Sequence, residues 1–144
     1  MLIGEYTHTI DSKKRVSLPT KFRSVMGKKI IMTKGTDNCV YVYPMSEWKK
    51  VSAKLSSLLM GPTDQRKFKR LMTTGAAEIS VDSIGRVLIP DFLKIFAKLK
   101  TRVVFTGVGD HIEVWDEKAW KIYKEKIENQ ADVLAEKLGE VGAI

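Results

Sequence analysis

Residues 10–19 read IDSKKRVSLP, and residues 81–90 read VDSIGRVLIP. Five of the ten positions are identical, Asp11/Asp82, Ser12/Ser83, Arg15/Arg86, Val16/Val87 and Pro19/Pro90, all at an offset of 71. Average composition gives roughly one match in fifteen. Ile10/Val81 and Leu18/Ile89 are conservative pairs. The likeness runs on downstream, where KKIIMTKGTDNCVYVYPMSEW (28–48) parallels TRVVFTGVGDHIEVWDEKAW (101–120) and closes on Trp48 and Trp120. An internal repeat sets the architecture. Each unit has about fifty residues, too few to bury a generous core alone. The two units are therefore expected to share one core about a pseudo-twofold axis.

Each unit has the same local pattern. A strand, GEYTHTI (4–10) or residues 76–81, enters a tight polar loop and returns as RVSLP or RVLIP. Pro19 and Pro90 end the pairing because proline has no N–H. A short helix follows at 20–26 or 91–99, with Thr20 and Asp91 in cap position. Two β-rich runs come next, joined by turn-forming residues at 36–38 and 109–110. A longer amphipathic helix closes each unit. The first carries Trp48, Val51, Leu55, Leu58 and Leu59 on one face, with Ser46 as its expected cap. The second, capped by Asp116, carries Trp120, Tyr123, Ile127, Ala131, Leu134 and Leu138. Gly61-Pro62 breaks the chain between units, and Thr63 starts another short helix with Arg66, Lys67, Lys69 and Arg70 opposite Phe68, Leu71 and Met72. The expected division is a first unit at 1–60, a basic linking helix at 61–75 and a second unit at 76–144.

Charge is unevenly spread. The chain of 144 residues holds 25 Lys and Arg against 17 Asp and Glu, a net of +8. Residues 1–72 contribute 15 − 5 = +10 and residues 73–144 contribute 10 − 12 = −2. A basic surface attracts polyanions and releases their counterions. The single cysteine, Cys39, excludes an internal disulfide and a CxxC pair. With only His8 and His111, no metal site is expected, nor any cofactor. No apolar run reaches membrane-spanning length, and the N-terminus lacks the pattern of a signal peptide. A cytoplasmic protein with an anionic partner is expected.

The repeated loop carries the chemistry. Asp four residues before Arg brackets a tight turn, and Asp accepts hydrogen bonds from loop N–H groups. Arg is a planar five-donor fork matched to guanine O6 and N7 or to phosphate. A two-stranded β tip is narrow enough to enter the major groove of DNA. Lys13 and Lys14 add mobile charge suited to phosphate, whereas the second loop has Ile84 and Gly85 there. The first loop is thus expected to hold phosphate more strongly. The plainer reading is an Asp–Arg pair that only fixes the turn, a role that suits Asp11 and Asp82 and is compatible with DNA contact by Arg15 and Arg86. The basic run at 66–70 reads either as a solvated helix face or as a partner contact.

GEYTHTIDSKKRVSLPTKFR (4–23) together with VDSIGRVLIPDFL (81–93) resembles the MraZ family of bacterial transcriptional regulators. The resemblance implies an α+β fold in which two AbrB/SpoVT-like β units form a shared swapped-hairpin β-barrel core with flanking helices. It implies a regulator of the division and cell-wall gene cluster containing its own gene. It also implies binding to short direct repeats in double-stranded promoter DNA as a ring-like homo-oligomer, at the nucleoid. The family's DNA-contacting signature falls on Asp11 to Arg15 and Asp82 to Arg86, so Lys13, Lys14, Arg15 and Arg86 are the expected DNA-binding residues. Asp11, Asp82 and Gly85 are the expected loop-structuring ones. The family's usual Gly before the Arg is present as Gly85 but replaced by Lys14 in the first loop.

No nucleophile elbow, P-loop, HExxH or paired-carboxylate motif is present, so no catalytic residue, small-molecule substrate or membrane partner is expected. Cys39, His8 and His111 read as packing or turn residues, and Trp48 and Trp120 as core residues. An antitoxin-like or general nucleic-acid-binding module of the same fold is the alternative. The patterned C-terminal helix differs from the disordered tail of such antitoxins, and no RRM-like aromatic signature favours RNA.

Overall fold

The computed structural model describes residues 1–57 and 63–143, so the expected break at Gly61-Pro62 and the apolar positions Leu58 and Leu59 lie outside the described residues. The elements run β1 (Leu2–Thr9), β2 (Arg15–Ser17), α1 (Thr20–Met26), β3 (Lys29–Lys34), β4 (Val40–Pro44), α2 (Met45–Ser56) and α3 (Thr63–Thr74). They continue β5 (Ala77–Ser80), β6 (Arg86–Leu88), α4 (Asp91–Phe96), β7 (Arg102–Gly109), β8 (Ile112–Asp116), α5 (Glu117–Asn129) and α6 (Ala131–Glu140).

The sheet order makes the pseudo-symmetry visible. Six antiparallel strands lie in the order β1-β7-β8-β4-β3-β5, which maps onto itself when the units are exchanged. The first strand of each unit pairs with the third-pattern strand of the other: β1 with β7 from Leu2↔Gly109 to Thr9↔Arg102, and β5 with β3 from Lys29↔Ser80 to Met32↔Ala77. At the axis β4 meets β8, with Val40↔Val114 and Val42↔Ile112 around Tyr41↔Glu113. β2 and β6 form a separate ribbon centred on Val16↔Val87.

The α+β class is as expected, but backbone pairing closes no barrel among the described residues. The six-stranded sheet ends at β1 and β5, and the ribbon pairs only with itself. The physical reason is length. The Asp loops at one end and Pro19 and Pro90 at the other trim β2 and β6 to three residues each, and proline supplies no further N–H to the ladder.

One core serves both units. Leu2, Ile10, Val16, Leu18, Phe22, Ile30, Met32, Val40 and Val42 of the first unit pack with Val87, Ile89, Leu93, Val103, Phe105, Ile112 and Val114 of the second. Strand alternation directs these side chains to the sheet face covered by the ribbon, α1 and α4. The opposite face carries Tyr43 under α2 and α3, with Leu55 and Met72 buried against it, and Trp115 under Trp120 and Tyr123 of α5. Trp48 packs on Tyr43 at a ring distance of 5.7 Å.

Three local expectations change. Thr20 and Asp91 are the first helical residues behind Pro19 and Pro90, and neither side chain caps. Ser46 likewise sits inside α2 behind Pro44, whereas Asp116 does cap α5 by accepting from the Ala119 N–H. Fixed φ makes proline a ready helix entry without a side-chain acceptor. The final helix is two helices, interrupted at Gln130 (φ −104, ψ 6). No residue of α6 is buried, so no packing holds it in line with α5 past the weak helix former Asn129.

Candidate nucleic-acid interface

The two repeated loops have one geometry. Asp11 Oδ1 accepts the N–H groups of Lys13 (2.8 Å) and Arg15 (2.9 Å). Asp82 Oδ1 accepts those of Ile84 (3.1 Å) and Arg86 (2.8 Å). Backbone bonds from Asp11 N–H to Arg15 O and from Lys14 N–H to Asp11 O close the first loop; Asp82, Arg86 and Gly85 repeat them in the second. These donors favour the charged carboxylate. The bond from the Arg15 N–H is the leading cause that holds the Asp11 carboxyl below the usual range, and the Arg86 N–H does the same for Asp82.

The residue before each Arg is left-handed, with φ 65 at Lys14 and φ 84 at Gly85. Glycine adopts this region freely, while an L side chain there costs about 1–2 kcal/mol. Lys14 keeps the shared loop shape despite that cost.

The Asp carboxylates also reach their arginines. Arg86 Nε donates to Asp82 Oδ2 at 2.7 Å, and Arg15 Nε stands 3.5 Å from Asp11 Oδ2. Arg15 Nε is buried without a hydrogen-bond partner among the described residues, so the first pair is the looser one.

Tertiary pairing brings the two arginines to one surface. Arg15 lies opposite Leu88 and Arg86 opposite Ser17. Directly opposed residues share a face, and alternate residues along a strand return to it. Arg15, Ser17, Arg86 and Leu88 therefore form the outer face of the ribbon, while Val16 and Val87 are buried beneath it. Arg15 and Arg86 are diagonal neighbours, roughly 7–8 Å apart.

The loops sit at opposite ends of this ribbon and meet different neighbours. Lys13 is exposed and makes no ion pair among the described residues. Lys14, expected as a second mobile charge, is tied down: its Nζ donates to Asp91 Oδ2 of α4 at 2.9 Å. That bond holds the Asp91 carboxyl below the usual range. At the other end Gly85 is covered by Arg23 of α1, into whose guanidinium a Cβ at Gly85 would run. Arg23 Nε donates to Leu18 O at 2.9 Å, and the Leu18 N–H donates to Gly85 O. Arg23 was missing from the sequence reading. Its repeat mate at offset 71 is Lys94, also basic, and that match was the available signal.

Other sequence candidates lie elsewhere. The basic residues of α3 sit across the six-stranded sheet from the ribbon, where Thr33 Oγ1 donates to Met72 O at 2.6 Å. Phe68 and Leu71 of that helix are exposed, and only Met72 is buried. Cys39 is buried with its thiol donating to Thr36 O, and burial pushes the thiol up. His8 packs edge-on against Phe105, and burial lowers its imidazole. His111 stacks on Tyr43 with Nδ1 2.6 Å from Asp110 Oδ1. No helix among the described residues is long and apolar enough to cross a membrane.

The family model described as "MraZ protein, putative antitoxin-like" matches this chain twice, at residues 1–71 and 72–139. Curated relatives agree along the whole length. Transcriptional regulator MraZ of Caldanaerobacter subterraneus subsp. tengcongensis is 44% identical over 96% of this chain and 96% of its own. Its counterpart in Acetivibrio thermocellus is 44% identical over 99% of both chains, and that in Clostridium tetani 43% identical over 99% of both. With one family model covering each repeated half and such identity from end to end, the chain belongs to the MraZ family, which comprises transcriptional regulators and not enzymes.

Proposed function

We propose that the chain is a sequence-specific DNA-binding regulator that inserts the β2–β6 ribbon and its two Asp loops into a major groove. One observation carries this reading: Arg15 and Arg86, seventy-one positions apart in sequence, lie half-buried on the same outer ribbon face, each held by the Asp of its matching loop. Arginines positioned in advance lose less freedom on binding, and a bidentate fork on guanine O6 and N7 reads sequence. Leu88, exposed between them, is suited to a thymine methyl. Lys13 supplies phosphate contact, and Lys14 does so once DNA draws it from Asp91.

In this reading residues 1–60 and 76–144 are the two AbrB/SpoVT-like units, joined through 61–75. The ribbon closing over the six-stranded sheet is their form of the swapped-hairpin core. The partners are double-stranded promoter DNA and further copies of the chain, and the site of action is the nucleoid. The target is a set of direct repeats ahead of the division and cell-wall genes that include its own. Direct repeats suit a head-to-tail ring, because a heterologous interface presents equivalent surfaces in one sense. Repeats spaced by about 10 bp stay on one face of the duplex. Single weak contacts then add by avidity.

The test is a gel shift on DNA from upstream of that cluster, across a salt series. Wild type is expected to prefer the repeats and to weaken steeply with salt. Arg15→Ala is expected to lose about 1–3 kcal/mol and to relax base preference. Binding by Arg15→Ala as tight and selective as wild type would overturn the assignment. Salt-sensitive wild-type binding with no preference would reduce the chain to a general nucleic-acid-binding module.

A further inference from the structure

A groove of about 370 Å³ lies between the end of α1 and the second loop, lined by Arg23, Ser24 and Lys28 on one side and Ser83 and Gly85 on the other. We infer that this groove is a binding site for one DNA backbone phosphate, with Arg23 and Lys28 as its cations; the inference rests on the DNA-binding reading above.

The charge in the groove is uncompensated. Asp82 is the acidic residue of its lining, and its carboxylate is already occupied by the Ile84 and Arg86 N–H groups and by Arg86 Nε. Among the described residues Arg23 bonds through Nε alone, to Leu18 O, which leaves its terminal nitrogens for a ligand. The Lys28 side chain is exposed and forms no ion pair among the described residues. Ser24 and Ser83 add hydroxyl donors of the kind that hold phosphate oxygens.

Comparison with the first loop explains why the site exists. There the loop brings its own cation, Lys14, and α4 supplies the acid Asp91 that neutralises it. The second loop has glycine in place of Lys14 and threonine, Thr20, in place of Asp91. Gly85 leaves the space, and Arg23 from the other unit fills it. The cation missing from the second loop in sequence is restored in space, and among the described residues no carboxylate pairs with it.

The experiment compares salt slopes for promoter DNA among wild type, Arg23→Gln, Lys28→Ala and Arg15→Ala, with thermal melting as the check of folding. Each neutralised phosphate contributes about 0.9 to the slope of log K against log salt. Arg23→Gln and Lys28→Ala are each expected to flatten the slope by about 0.9 per engaged subunit and to leave base preference unchanged. Lys28→Ala removes an exposed side chain and reads the groove even where Arg23→Gln fails to fold. If wild type binds selectively and Arg15→Ala loses selectivity, but Lys28→Ala and folded Arg23→Gln keep the wild-type slope, the groove is not a phosphate site. If wild type shows no preference for the repeats, the sequence-specific reading on which this inference rests fails, whatever the slopes of the variants.

Discussion

Lys14 and Gly85 occupy one loop position in two copies, and alanine is expected to cost more at Gly85 than at Lys14. Both are left-handed. At Gly85 any Cβ meets the Arg23 guanidinium as well as the conformational cost. Gly85→Ala is expected to destabilise by about 1–3 kcal/mol. Lys14→Ala exchanges one L residue for another at the same φ and loses only an exposed ion pair that solvent screens. It is expected to stay within about 1 kcal/mol of wild type. Denaturant unfolding of the two variants checks the contrast, and equal costs would contradict the steric role of Arg23. The Asp residues of both loops were legible from the sequence, because an Asp at a turn has a local job. Arg23 was not, because its neighbour belongs to the other unit.

At the scale of elements, the ribbon is the structure that matters for recognition, and it is small. Three residues a side hold it together, with Val16 and Val87 as its inward anchors, 2% and 1% exposed. Val87→Ala removes two methyl groups from a closed site, and the expected loss is about 2–3 kcal/mol. An unchanged unfolding midpoint would mean that the ribbon is not seated on the core. The periodicity of α1, α2 and the strands was readable because each buries one face. The break between α5 and α6 was not, since the apolar positions Leu134 and Leu138 continue the stripe, yet both remain exposed. A hydrophobic pattern predicts a helix face but not the partner needed to hold that face in place.

For the whole molecule, the exchange of first strands has a direct consequence. β1 has its pairing partner in the second unit, and β5 has its partner in the first. Neither half can complete its sheet as a monomer, and each presents an open edge and half a core. Residues 1–62 and 63–144 expressed apart are expected to show no cooperative melt as monomers. Mixing them is expected to restore the native circular dichroism and a single transition. A half that melts cooperatively as a monomer, checked by sedimentation, would contradict the shared core.

The amino-acid sequence by itself determined the duplication, the order of strands and helices within each unit, the Asp-bound turns and the concentration of positive charge in the first half. These are local or periodic properties, set by hydrogen-bonding side chains, proline and alternation, and they need no knowledge of the partner. Only the tertiary structure decided which strands pair across the units, that the ladder stops short of a closed barrel, and that Arg15 and Arg86 meet on one ribbon face. It also decided that Asp91 restrains Lys14 while Arg23 stands over Gly85. Those outcomes depend on contacts between residues far apart in the sequence. A sequence pattern records which face of an element is apolar, whereas the approach of the two units sets which charges become neighbours.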